Sequence, residues 1–222
     1  SAFRRLTDEV YKVSGTLDPG QREVAGFWDC NPFVVASSGH MTLGFKKISP
    51  GGHWMNIACI AAEQRKIPYR QRIQLLALEA ITLYDAFIAC WNEKFATDRV
   101  RPESVINAVI DIRWQPLLQT PPFPEYTSGH SVISSASAEI LSYLLGEDLA
   151  YTDDTEVIFE LSPRRFPSLR AAAAEAGISR LYGGIHFRDA IEAGQDQGAR
   201  VGRHIVSRLV AVGVLPYPYK KP

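Results

Sequence analysis

The chain has 222 residues, 46% of them hydrophobic and 22% charged, proportions that exclude a disordered, collagen-like or fibrous class and supply enough apolar surface for one sizeable core. Lys plus Arg (24) balances Asp plus Glu (24), so net charge draws the molecule toward neither nucleic acid nor an anionic membrane, and any anion site must be a local concentration of cations. No apolar run reaches the roughly 18 residues that span a bilayer, and Cys30, Cys59 and Cys90 are too widely spaced for a disulfide framework or a zinc-type pair, so each is expected to be a small buried apolar group.

The sequence opens on Ser1-Ala2 without a signal-peptide pattern, which fits a processed end or a cloning scar. A helix is expected from about Pro19 to Trp28, with Asp18 as N-cap and Pro19 in the first turn. Between Phe33 and Lys47 the pattern does not decide between helix and loop. After a Pro50-Gly51-Gly52 break, a helix is expected from about His53 to Lys66. From Gln71 to Trp91, Ile73, Leu76, Ala80, Leu83 and Phe87 recur at spacings of three and four, which predicts a helix with those residues facing the core. Prolines 116, 121, 122 and 124 read as a stiff loop running from the surface to a pocket. Apolar and small residues from Ser131 to Leu145 then predict a helix starting at the Ser128-Gly129-His130 turn and stopping at Gly146. An alanine-rich helix from Pro167 to Leu181 is interrupted by Gly183-Gly184, and an amphipathic pattern resumes from His186 to Val212 through Ile191, Val201, Ile205 and Leu209. Strand signals are sparse, and one compact unit is expected.

Three separated clusters carry chemistry. The first, Lys94 through Pro102, ends the long helix with an ammonium point charge and a guanidinium fork suited to neighbouring oxyanion oxygens. Taken alone, it also fits cations serving a helix C-terminus. The second, Pro121 through His130, offers free backbone N–H groups at a helix start, a glycine for close approach and the Ser128 hydroxyl; a plain Ser N-cap beside a surface His fits it equally well. In the third, Ser179 through Asp189, Gly183-Gly184 lets the chain bend so that Arg180 and His186 point into one pocket.

Together these residues form the pattern Lys94, six residues, Arg101-Pro102, then Ser128-Gly129-His130, then Ser179-Arg180, five residues, His186. This resembles the three-part signature of the type 2 phosphatidic acid phosphatase and vanadium-dependent haloperoxidase superfamily, over Lys94 to Asp189. The resemblance implies an all-α helical bundle in a single domain, 1–222, with a catalytic core at about 70–212, resembling the C-terminal part of a longer helical protein. It implies that Lys94, Arg101, Ser128, Gly129, Arg180 and His186 bind vanadate, that His186 is the single protein ligand to vanadium, and that His130 is the acid–base partner. Phosphate or sulfate fits the same cradle, and no other metal is expected. Lys94 is the residue best suited to polarise bound hydrogen peroxide. Where the family places an acidic residue four positions after the last His, this chain has Ala190. Asp189, one position early, then becomes a candidate for orienting His186, beside Glu192 or a backbone carbonyl. Asp29 resembles a tryptophan-adjacent Asp that supports the acid–base His, or else is a structural carboxylate.

The choice between the two chemistries rests on Trp91 and Phe123, which resemble the aromatic pocket walls of chloroperoxidase-type members and read otherwise as core packing. The wording around the motifs is similar to bacterial chloroperoxidase-related proteins. The expectation is a vanadate-dependent haloperoxidase that oxidises halide with hydrogen peroxide. The alternative is an acid phosphatase acting through phospho-His186; a phosphate-binding scaffold is a third class that two retained histidines argue against. Expected partners are small molecules, peroxide and halide or a phosphate ester, with no nucleic acid, no membrane span and a homo-oligomer open. An extracytoplasmic location follows from the resemblance alone.

Overall fold

Side-chain caps set four of the helix starts. Asp18 Oδ1 accepts from Gln21 N while Gln21 Oε1 accepts from Asp18 N, a closed capping box. Ser49, Ser128 and Ser168 each accept the amide three residues on. In the computed structural model, which describes residues 2–31, 34–38, 40–45 and 47–218, eight α-helices follow among the described residues. They are α1 (Ala2–Gly15), α2 (Pro19–Phe27), α3 (Pro50–Gln64), α4 (Tyr69–Thr97), α5 (Pro102–Val109), α6 (Gly129–Leu145), α7 (Leu169–Tyr182) and α8 (Arg188–Ala211). The fold class is all-α.

Two small antiparallel ribbons interrupt the helices. The undecided segment holds β1 (Val34–Ser38) and β2 (Met41–Phe45), paired from Val34↔Phe45 to Ser38↔Met41; Phe33 and Lys46 lie outside the described residues. A second ribbon pairs β3 (Tyr151–Asp153) with β4 (Arg164–Phe166), around a 3₁₀ turn at Thr155–Phe159. Helix α3 begins at Pro50, earlier than expected. Pro50 occupies a first-turn position where its missing N–H is not needed, so Pro50-Gly51-Gly52 is the opening turn of the helix and not a break before it.

Helix α6 is central. Val132, Ala136, Ile140, Leu141, Leu144 and Leu145 are all at 0% exposure, and α3, α4, α7 and α8 pack around it. The closest approach is to α8, along Gly194, Gly198 and Gly202. A Cβ at 198 would stand 2.1 Å from the Val132 carbonyl oxygen, and one at 202 would stand 2.5 Å from Glu139 Cβ. Ser128 N donates to Ala190 O at 3.0 Å, which ties the start of α6 to the start of α8.

The phase of α4 differs from expectation. Its buried face carries Leu75, Glu79, Thr82, Leu83, Ala86, Cys90 and Lys94, whereas Ile73 and Ala80 are exposed. Leu83 is in the core and Leu76 and Phe87 pack against it, as expected; both sides of the helix are apolar and three polar residues lie on the inward one, so hydrophobic spacing alone sets the stripe off-centre. An 18-residue window within Tyr69–Val109 reaches a mean hydropathy of 1.6 and is 33% buried, long and apolar enough by composition to cross a membrane. Glu79 and Asp85 interrupt it, so the unbroken apolar run is lacking as expected, and a helix packed in a core has the same composition. Cys30 and Cys90 are buried as expected; Cys59 is exposed.

Candidate active site

The three clusters arrive from four helices. Lys94 lies in the last turn of α4, Arg101 is the N-cap of α5, Ser128 is the N-cap of α6, and Arg180 lies in the last turn of α7. Gly184 takes φ +75°, and a Cβ there would meet Pro116 Cβ at 3.0 Å; glycine alone suits both demands. The resulting bend ends α7 and delivers His186 just before α8.

His186 is held on both ring nitrogens. Nδ1 is 2.8 Å from Glu125 Oε1, and Nε2 is 3.1 Å from Arg101 Nη1. A guanidinium only donates, so Nε2 is the accepting, unprotonated nitrogen and Nδ1–H donates to Glu125. Burial, then Arg101, Lys94 and Arg180, push the His186 pKa well below its ordinary value, so the ring is neutral with its Nε2 lone pair toward Arg101.

Lys94, Arg101 and Arg180 are buried, and among the described residues none forms an ion pair with a carboxylate. Their donors meet carbonyl oxygens instead. Lys94 Nζ donates to Pro124 O (2.9 Å), Glu125 O (3.0 Å) and Thr127 O (2.5 Å). Arg101 donates to Phe123 O and Ile185 O, both at 2.9 Å, and Arg180 donates to Trp28 O at 2.6 Å. Burial lowers the Lys94 pKa to about 8 and the Arg101 pKa to about 10, and it lowers that of Arg180 as well. Buried cations with no carboxylate in contact are costly, and Glu125 and Asp29 act on them only at longer range. A bound anion would offset that cost, so the charge arrangement suits an anion.

The start of α6 adds neutral donors. Gly129 and His130 occupy its first two positions, whose N–H groups have no intrahelical acceptor. His130 Nε2 is buried without a hydrogen-bond partner. Burial, then Arg180 and His186, hold the His130 pKa well below normal, against the pull of a hydrogen bond to the Trp28 backbone. Trp91 and Phe123 form one wall, ring centroids 5.2 Å apart. Lys94 Nζ lies 5.8 Å and 5.5 Å from their centroids, and Arg101 Cζ lies 5.0 Å from that of Phe123. The donor set thus suits a multiply charged tetrahedral anion bearing on His186 Nε2, which is the chemistry of vanadate or phosphate.

Asp189 does not orient His186. It forms a bidentate pair with Arg99 at 2.7 and 2.8 Å and its side chain is 41% exposed; Glu192 is exposed too. The orienting group is Glu125, fully buried, whose Oε1 also accepts from Phe187 N at 2.9 Å and whose Oε2 accepts from Arg99 Nε at 2.6 Å. Burial raises the Glu125 pKa, and Arg99 is the main force opposing that rise. The signal for Glu125 was a lone acid directly after the apolar run Pro121–Pro124, three residues before Ser128. Asp29 pairs with Lys47 at 2.7 Å, making it a carboxylate in the field of Arg180 and not a hydrogen-bond partner of His130.

Residues 109–212 match the family model described as the VCPO second helical-bundle domain. The structure of a bacterial vanadium-dependent iodoperoxidase superposes with a TM-score of 0.87 at 45% sequence identity, covering 94% of this chain and 50% of that one. The chain belongs to the vanadium haloperoxidase superfamily. A holo-type bacterial vanadium-dependent chloroperoxidase shares the superfamily fold at a TM-score of 0.74 and 20% identity, over 94% of this chain and 48% of that one. The present chain therefore spans about half the length of these superfamily structures. No curated protein matches it.

Proposed function

We propose that this chain carries the vanadate site of a haloperoxidase that oxidises halide, iodide foremost, with hydrogen peroxide. The observation that carries the reading is the set of three buried cations without a carboxylate partner, gathered around a His186 whose Nε2 is kept unprotonated. The choice of iodide is supported by the 45% identity to the iodoperoxidase.

His186 Nε2 would hold the cofactor, and Glu125 fixes the tautomer that leaves this nitrogen free. Lys94, Arg101 and Arg180 balance the charge on its oxygens. Ser128 Oγ and the Gly129 N–H complete the cradle from the end of α6. His130, with an unpartnered Nε2, takes up and returns protons. Trp91 and Phe123 keep water from the cationic side, where a dry wall strengthens the field of Lys94. Vanadate, when bound, supplies a Lewis-acidic centre that takes up hydrogen peroxide and renders an oxygen electrophilic toward halide.

Assay of iodide oxidation with peroxide, with and without orthovanadate, tests this reading. Turnover that requires vanadate is expected. No turnover with iodide, bromide or chloride would defeat it, and vanadate-inhibited hydrolysis of p-nitrophenyl phosphate in its place would identify a phosphatase.

A further inference from the structure

A second cluster of chemically competent side chains lies against Trp28, whose ring stacks on that of His53 with centroids 4.7 Å apart and an 18° interplanar angle. Cys30 follows α2, His53 lies in the first turn of α3, Asp153 ends β3, and Glu156 belongs to the 3₁₀ turn. All four are buried, at 3% exposure or less. Cys30 Sγ is 3.4 Å from His53 Nδ1, and Glu156 Oε1 is 3.1 Å from the same nitrogen. His53 Nε2 meets Asp153 Oδ2 at 2.8 Å, and Asp153 Oδ1 accepts from Thr155 N at 3.0 Å.

We propose that Cys30 Sγ, His53 Nδ1 and Glu156 Oε1 form a buried binding site for one divalent cation of the Zn²⁺ kind, with Asp153 orienting His53 from behind. The three ligand atoms already lie within 4.8 Å of one another. Tetrahedral zinc with ordinary bond lengths sets S···N at about 3.6 Å, N···O at about 3.4 Å and S···O at about 3.6 Å, so the two spacings from Nδ1 need open by only a few tenths of an ångström, and Sγ and Oε1 settle at about 3.6 Å from each other. Glu156 Oε1 is buried and pairs with Nδ1 at 3.1 Å without a well-aligned hydrogen bond, a placement that suits two ligands around a shared centre. A thiolate, an imidazole and a carboxylate select Zn²⁺ over the hard cations Mg²⁺ and Ca²⁺. The carboxylate on the remote imidazole nitrogen is the usual outer support of a zinc-bound His. Binding displaces the Cys30 thiol proton and the Nδ1 proton, Nε2–H stays on Asp153, and thiolate plus Glu156 match the two charges of the cation. A solvent molecule or the second Glu156 oxygen completes four-coordination.

Such an ion would pin the end of α2, the start of α3 and the β3–β4 connection to one point. The same point fixes Trp28, whose carbonyl receives Arg180, so the cation would steady one wall of the active site without touching it. The 23-residue and 100-residue separations of His53 from Cys30 and Asp153 hide the cluster from any reading of closely spaced ligand pairs. The competing description is a His53 protonated on both nitrogens and locked between acids, which binds no metal.

The test is titration of the chelator-treated full chain with Co²⁺ and Zn²⁺. One Co²⁺ per chain is expected, with thiolate-to-cobalt charge-transfer absorption in the near ultraviolet that persists in Cys59→Ser and is lost in Cys30→Ser. Zn²⁺ should displace the cobalt and raise the melting temperature, and Asp153→Asn should weaken Zn²⁺ about 10- to 100-fold, with Glu156→Gln at least as damaging. Absence of the band, a band unchanged in Cys30→Ser, or Zn²⁺ affinity unchanged in Glu156→Gln would each overturn the proposal. If Cys30→Ser fails to fold, the Glu156→Gln affinity decides. No step of this test involves vanadate or halide, so its outcome is separate from that of the proposed function.

Discussion

At the scale of single residues, the orienting role falls to Glu125 and not to Asp189, the acid that motif spacing singles out. Glu125 touches His186 directly and is sealed from water, whereas Asp189 reaches it only through Arg99 and Glu125 and is partly exposed. Replacing Glu125 by Ala should free the ring and its tautomer, lowering vanadate affinity about 10- to 100-fold. Asp189→Ala should cost less than about fivefold, as for a partly exposed ion pair; equal losses measured by equilibrium dialysis would contradict this ordering. Lys94 gives the site a pH dependence. Its pKa of about 8 lies below that of an ordinary lysine, so the ammonium is charged below about pH 8 and is lost as pH rises. A bound anion favours the charged form, so affinity for sulfate, which does not itself titrate in this range, should be level below pH 8. From there up to the higher Lys94 pKa of the complex it should fall by up to about tenfold per pH unit, and level off beyond it. Calorimetric titration should show this fall in the wild type and its loss in Lys94→Met. A level wild-type profile from pH 7 to 10 would exclude Lys94 from anion binding.

At the scale of elements, the order and approximate bounds of α2, α4, α6, α7 and α8 were legible, because caps, prolines and 3.6-residue spacing act locally. The inward face of α4 was legible only in Leu76, Leu83 and Phe87, since Glu79, Thr82 and Lys94 are buried there for reasons that lie on other elements. The hairpin of β1 and β2 and the helices α1 and α5 gave no usable signal. Helix α8 shows a further feature read only after folding, the four-residue spacing of Gly194, Gly198 and Gly202 against α6. In sequence these are breakers; in the structure they let two backbones approach closely enough to set the α6 and α8 starts side by side. Gly198→Ala places a methyl 2.1 Å from a backbone carbonyl oxygen that has no flexible way to yield. Thermal unfolding should show a loss of about 2 to 3 kcal/mol with some loss of anion binding. A gain in stability, as helix propensity alone would give, would contradict the tight α6–α8 contact.

At the scale of the whole molecule, residues some ninety positions apart converge because α6 and α8 start together while α4 and α7 end together around them. The motif residues were legible because each is chemically distinctive at fixed spacing. Glu125 and the Cys30–His53–Glu156 cluster were not, because their meaning depends on partners that only tertiary packing supplies. Buried cations around a neutral His186 are proposed as a vanadate site in this half-length chain. Calorimetric titration with orthovanadate should show one vanadate per chain, displaced by phosphate and weakened roughly 100-fold or more in His186→Ala. Absence of saturable binding, or equal affinity with the imidazole removed, would contradict it.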